Sequence, residues 1–181
     1  MSDEFLAEVK NLPQKNLALE LLQKLINDDI KVRLKSNVVE ARKFSEQLEE
    51  SIRKYQNRTI ETAQVIQELI ELAKEMKQAQ NKGADLGLTD DEVAFYDAVS
   101  DNESAKEVLG DDVLKNIASD LVEAVRKSVT IDWKVRESAR AKIRTIIKRI
   151  LRKYGYPPDK QESATNLIIE QAEVLCENWA A

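Results

Sequence analysis

Apolar residues recur at spacings of three and four along nearly the whole chain, and the strict alternation of a half-buried strand rarely lasts beyond a few positions. That period restricts the chain to an all-α fold, because only a turn of about 3.6 residues brings such positions to one side. After Leu12 and Pro13, the positions Leu17, Leu21, Leu22, Leu25 and Ile26 predict a helix running to about Lys35. Pro13 is acceptable in its first turn, where a missing N–H leaves nothing unpaired. Asn37 is the predicted break. From Val39, the stripe Ala41, Phe44, Leu48, Ile52 and Tyr55 continues through Ile60, Ala63, Ile66, Ile70 and Ala73. This predicts one long helix or two collinear ones, bending at Asn57-Arg58-Thr59.

Only four Gly and three Pro interrupt 181 residues, and two of the glycines fall in Asn81-Lys82-Gly83-Ala84-Asp85-Leu86-Gly87, where the period stops. The expected organisation is a helical bundle in two parts: a long-helix hairpin over 1–82, a hinge at 83–88 and a compact helical subdomain over 89–181, with seven or so helices in all. Thr89-Asp90-Asp91-Glu92 has capping-box spacing and opens a helix through Ala94, Phe95 and Val99. Asp111 or Asp112 opens the next, with Leu114, Ile117, Leu121 and Val125 on its core face, ending near Val129. Trp133 leads a helix carrying Val135, Ala139, Ile143, Ile146, Ile147, Ile150 and Leu151, which Gly155 should terminate in the left-handed conformation. Tyr156-Pro157-Pro158 turns the chain into a last helix with Ala164, Leu167, Ile168, Ala172, Leu175 and Trp179.

Much chemistry is excluded at this level. The chain has no His and one Cys, so the usual nucleophilic triads, His-ligated zinc and thiolate clusters are out of reach. Cys176 cannot pair within the chain, and the acidic start Met1-Ser2-Asp3-Glu4-Phe5 has no apolar signal region, so a cytoplasmic location is expected. No apolar run approaches the roughly 20 residues that span a bilayer. The pattern G-x-x-x-x-G-K-S/T is absent, as is a dinucleotide-binding glycine trio. Pro158-Asp159 resembles the opening of a metal-dependent nuclease motif, but Glu170 and Glu173 lack the following lysine, and Asp159 reads better as a helix cap. Asp90-Asp91-Glu92 could attract magnesium, although capping is the simpler account. No catalytic, cofactor-binding or metal residues are expected, and Trp133 and Trp179 read as packing anchors.

A net charge of −5 conceals a segregation. Twelve acids face Lys106 and Lys115 between Asp85 and Glu123, whereas eleven bases face Asp132 and Glu137 between Arg126 and Lys153. On a helical wheel Lys142, Lys148, Arg149, Arg152 and Lys153 avoid the apolar arc, and with the turn Tyr156-Pro157-Pro158 they form a candidate contact surface for protein carboxylates or nucleic-acid phosphates. Arg136 and Arg140 fall inside the arc and are expected to pair with acids of the preceding helices, such as Asp120 or Glu123. An acidic pI near 5.1 and few aromatics near the bases disfavour a stand-alone DNA-binding domain.

Several segments together resemble a known family: Gly87-Leu88-Thr89 through Glu92, Ala94-Phe95-Tyr96-Asp97-Ala98, Val129-Thr130-Ile131-Asp132-Trp133, Arg136-Glu137-Ser138, Arg140-Ala141-Lys142 and Tyr154-Gly155-Tyr156-Pro157-Pro158-Asp159. Gln14-Lys15-Asn16-Leu17-Ala18 and Phe44-Ser45-Glu46-Gln47-Leu48 extend the likeness over essentially the whole chain. The pattern is similar to the C-terminal helical domain of type I restriction enzyme R subunits. The resemblance implies a C-terminal fragment of a larger DNA translocase and endonuclease that works with methyltransferase (M) and specificity (S) subunits. It implies a non-catalytic docking role, with ATP and Mg used by the parent subunit and none bound here. The alternative it leaves open is a DNA-contacting clamp element supporting translocation.

Overall fold

The structure, a computed structural model, describes residues 1–128 and 137–180. Those residues form ten α-helices and one 3-10 turn, with no strand among them. The fold is all-α as predicted, with more helices than the seven or so expected. The extra ones, α1 (Asp3–Lys10), α5 (Lys82–Leu86) and α7 (Glu103–Leu109), have at most two turns, too short for an apolar period to show.

The described chain divides into two compact units, the first built from Met1–Leu34 and Glu40–Lys82. Here α1, α2 (Lys15–Leu34), α3 (Val38–Gln56, from Glu40 onward) and α4 (Thr62–Ala79) enclose a core containing Leu6, Leu22, Ile26, Phe44, Leu48, Leu69 and Met76. The buried stripe of α2 runs Ala18, Leu22, Ile26, Ile30, with Leu19 beside it, whereas Leu17, expected in the core, is 51% exposed. Two apolar phases compete on this leucine-rich helix, and packing against α4 selects the one holding Ala18. Pro13 lies before the helix, not in its first turn.

Helices α3 and α4 are not collinear. Lys43 Nζ reaches Glu75 Oε1 at 2.7 Å and Ser51 Oγ donates to Glu68 Oε2 at 2.7 Å, so the two run antiparallel. The expected bend is a reversal: Arg58 takes a φ of 56°, and Thr59 N donates back to Lys54 O at 2.9 Å. A left-handed residue closes a helix end in this way even where it is not glycine. Phe44 is buried beneath Arg33, whose guanidinium bonds Asp29, Glu40 and the Met76 carbonyl oxygen, the last at 2.6 Å.

The second unit comprises Lys35–Val39 and residues from Gly83 onward. Its body is a ring of four helices: α6 (Asp90–Ser100) packs on α8 (Asp111–Ser128), α8 on α9 (Glu137–Lys153), α9 on α10 (Gln161–Ala180), and α10 on α6. Phe95, Leu114, Ile117, Leu121, Ile143, Ile147, Leu151, Tyr156 and Ile168 fill the middle. The predicted capping box is present, with Thr89 N donating to Glu92 Oε2 at 2.8 Å and Glu92 N to Thr89 Oγ1 at 3.4 Å. Gly155 ends α9 with a φ of 71°, and Tyr156 N donates to Leu151 O at 2.9 Å. In the segment read as a hinge, Gly83 lies inside α5 and is buried. A Cβ there would stand 2.9 Å from the Leu88 carbonyl oxygen, so close approach requires this glycine.

The predicted break at Asn37 is held in place by side chains of the same unit. Asn37 Nδ2 donates to Asp97 Oδ2 at 2.7 Å, and Asn178 Nδ2 donates to Lys35 O at 2.6 Å. Gln171 Oε1 accepts from Val38 N at 2.8 Å while its Nε2 donates to Ser36 O at 2.7 Å. One buried amide therefore satisfies both a donor and an acceptor at the start of α3.

Candidate contact surface on helix α9

Helix α9 is held by Ile143, Ile147 and Leu151, which recur every four residues and are all buried. Their arc directs the opposite sector outward. At 100° per residue Lys142 and Arg149 fall about 20° apart on that sector, and Thr145 and Arg152 lie to one side of them. Thr145, Lys148, Arg149 and Arg152 line a shallow groove there. Thr145 Oγ1 donates to the Ala141 carbonyl oxygen at 2.9 Å.

The other bases of α9 are paired. Arg140 meets Glu173 of α10. Arg144 and Lys148 share Glu162 at 2.5 and 2.6 Å, and Arg144 also donates to Asn166 Oδ1 at 2.7 Å. Those hydrogen bonds hold the Glu162 carboxyl below its ordinary range. Lys153 Nζ bonds Asp120 Oδ2 at 3.0 Å, which raises the lysine. Partial burial pushes Asp120 upward, but the bonds from Lys153 and from Tyr154 Oη, the latter at 2.8 Å, outweigh it and leave the carboxyl lowered. Lys142, Arg149 and Arg152 are exposed and have no partner among the described residues. Of the five predicted bases, therefore, three stand free and two are engaged.

Tyr156 does not belong to the surface. It is 1% exposed, its hydroxyl donates to the Val99 carbonyl oxygen at 2.8 Å, and burial pushes it up to about 12. The left-handed turn at Gly155 swings this ring inward, where a large aromatic fills the ring of helices. Pro157 is half-buried and Pro158 is exposed at the start of the 3-10 turn Pro158–Lys160. Asp159 lies within that turn, 3.8 Å from Lys160 Nζ, and is not the cap residue.

The expected ion pairs also fall differently. Arg140 lies inside the apolar arc but in the first turn of α9, where it is half exposed and its partner is Glu173 of α10 rather than Asp120 or Glu123. Asp120 serves Lys153 and Tyr154, and Glu123 pairs with Lys127 one turn along its own helix. Arg136 and Trp133 lie outside the described residues.

Trp179 packs half-buried against the core, as read from its spacing. Its Nε1 donates to Asp91 Oδ2 at 2.9 Å, and Arg126 bonds the same oxygen at 2.5 Å while its guanidinium lies 4.9 Å from the ring centre. Asp91 is thus held by a cation and an indole, and Glu92 by the cap and by Ser119, which together depress the Glu92 carboxyl. Among the described residues no group of His, Cys, Asp and Glu is arranged to hold a metal, and no helix is long and apolar enough to cross a membrane.

These features define a class: an all-α, two-unit module in which ion pairs join neighbouring helices and three bases on the outer face of α9 have no partner among the described residues. The chain belongs to the family described as type I restriction enzyme HindI endonuclease subunit-like, C-terminal, whose model matches residues 1–178. It is 41% identical over 178 residues to the type I restriction enzyme HindI endonuclease subunit of Haemophilus influenzae, covering 98% of this chain and 17% of that protein. It is 38% identical over 156 residues to a putative type I restriction enzyme MjaIXP endonuclease subunit of Methanocaldococcus jannaschii, covering 86% of this chain and 15% of that protein. The chain thus spans about a sixth of the length of these relatives. No solved structure matches it.

Proposed function

We propose that this chain is the assembly module of a type I restriction R subunit. It contributes no catalytic group itself and docks the ATP- and Mg-dependent translocase and endonuclease onto the methyltransferase and specificity subunits. The outer face of α9 is a contact surface of that assembly. The observation that supports this reading is the division of labour along α9: Arg140, Arg144, Lys148 and Lys153 are paired within the module, whereas Lys142, Arg149 and Arg152 stand free on one sector. A rigid helix with unspent charge steers encounter and fixes register with a partner. Membership of an endonuclease-subunit family supplies the system in which such docking has a purpose.

Sedimentation velocity of the chain mixed with an M and S core tests the proposal. A shared boundary that weakens with salt is expected. Independent sedimentation at tens of micromolar would refute docking by this module.

A further inference from the structure

Helix α2 carries two apolar strips, and the core uses one of them. Ala18, Leu22, Ile26 and Ile30 are buried, with α4 and α1 packed on the helix. Leu17, Leu21, Leu25 and Val32 form the second strip: at 100° per residue they fall within about 80° of one another, a sector of α2 they share with Asp28 alone. Leu17 is 51% and Val32 67% exposed, and Leu21 and Leu25 are half-buried. A surface helix keeps one apolar side, whereas a helix apolar on two sides belongs between two layers. The second strip is therefore a face built to be covered. Its area decides by what. Leu17 to Val32 spans about 22 Å along the axis and about 10 Å across one helix, roughly 220 Å². A stable complex between separate molecules takes about 800 Å² from each partner, so this strip by itself holds neither a second copy nor a free protein. A segment of the same polypeptide needs far less, because a tether supplies effective concentration in place of area.

We infer that the second strip of α2 seats an amphipathic helix from the part of the R subunit that lies outside these 181 residues. The inference rests on the reading of the chain as a piece of an R subunit, but neither on docking to the M and S core nor on α9. The matched region makes up 17% and 15% of the two relatives, so most of each polypeptide lies beyond it and can supply such a helix. The strip also specifies the chemistry of its occupant. Apolar side chains recurring every three or four residues fill the ridge from Leu17 to Val32, as ridges fill grooves between any two helices. Lys24 and Lys31 border the strip on one side, one heptad apart. Lys31 reaches Asp28 Oδ1 at 3.5 Å, while Lys24 is exposed with no partner among the described residues. The covering helix therefore places an acid over Lys24, which fixes its register more than it adds affinity.

Cysteine labelling compares the strip in the 181-residue chain and in the full R subunit that carries it. Leu17→Cys and Val32→Cys are placed singly in both, with Val108→Cys, 69% exposed on α7, as the control. N-ethylmaleimide is the probe, and peptide mass spectrometry separates each site from the buried Cys176. All three sites should label rapidly in the 181-residue chain. In the R subunit, labelling at positions 17 and 32 should slow at least about tenfold, because a covered thiol reacts only when its cover opens, while position 108 keeps its rate. Equal rates in the two proteins overturn the inference, as does equal slowing at position 108. Slowing in the 181-residue chain as its concentration rises would make the occupant a second copy, and slowing in the R subunit only after the M and S core is added would make it a partner subunit; either result overturns the inference. Loss of docking to the M and S core would leave the protection in place, and loss of the protection would leave the docking.

Discussion

Replacing Gln171 by Met isolates the amide that holds the start of α3. Methionine keeps the volume and the unbranched stem but removes both polar atoms. Gln171 and Val38 are buried, so the Val38 N–H, now 2.8 Å from Gln171 Oε1, loses its acceptor where water has little access. Stranding a buried donor costs about 1–3 kcal/mol. Ser36 is exposed, so its carbonyl oxygen can recover a water and adds little. The second unit has about 100 residues, a size at which 1 kcal/mol moves the melting temperature by roughly 4 °C, so the expected drop is on the order of 4–12 °C. Trp179 is half-buried against the core of this unit, so its fluorescence follows the melting. Gln47→Met is the internal control. Gln47 Oε1 is buried without a hydrogen bond, and its Nε2 reaches Glu75 only at 3.4 Å, so this change should be neutral or stabilising in a circular-dichroism melt. Gln171→Met melting within about 1 °C of the parent would refute the reasoning.

Arg140→Met should cost less than about 1 kcal/mol in denaturant melts, because both partners keep water access and exposed pairs contribute little; a loss of 3 kcal/mol would mean that Glu173 is left charged and dry. Glu92 has a folded pKa depressed below 4.5, first by the bond from Ser119 and then by that from the Thr89 backbone. Its contribution is therefore complete above about pH 4.5 and fades as the pH falls through the lower folded value, so stability between the two should rise with pH. Glu92→Gln should flatten that limb of a stability-versus-pH curve, and an unchanged limb would assign it to other carboxylates. Burial pushes the Cys176 thiol up to about 12. Iodoacetamide at mildly alkaline pH should leave the native chain unmodified by mass spectrometry and label it fully in denaturant; rapid native labelling would contradict the burial.

What the sequence determined by itself is what depends on a few consecutive residues. The period of α9 through Ile143, Ile147 and Leu151, the Thr89 to Glu92 cap and the left-handed Gly155 are all settled within one or two turns, and each is present as read. The face of α9 free of apolar residues was legible for the same reason. Only the tertiary structure decided which charges were already used. Arg140 chose Glu173, Lys153 chose Asp120, and Tyr156 turned inward to Val99 because neighbouring helices, distant in sequence, supplied those partners. The phase of α2 and the fold-back of α4 against α3 are of the same kind, since two apolar stripes on one helix are equivalent until another helix covers one of them. Gln171 is the limiting case: its partners Ser36 and Val38 lie 135 and 133 residues away, and no local pattern marks a glutamine in a helix as the group that completes the beginning of another. A helical period is a property of the backbone and is written locally, whereas satisfaction of a buried donor or a surplus charge depends on what the fold brings within 3 Å.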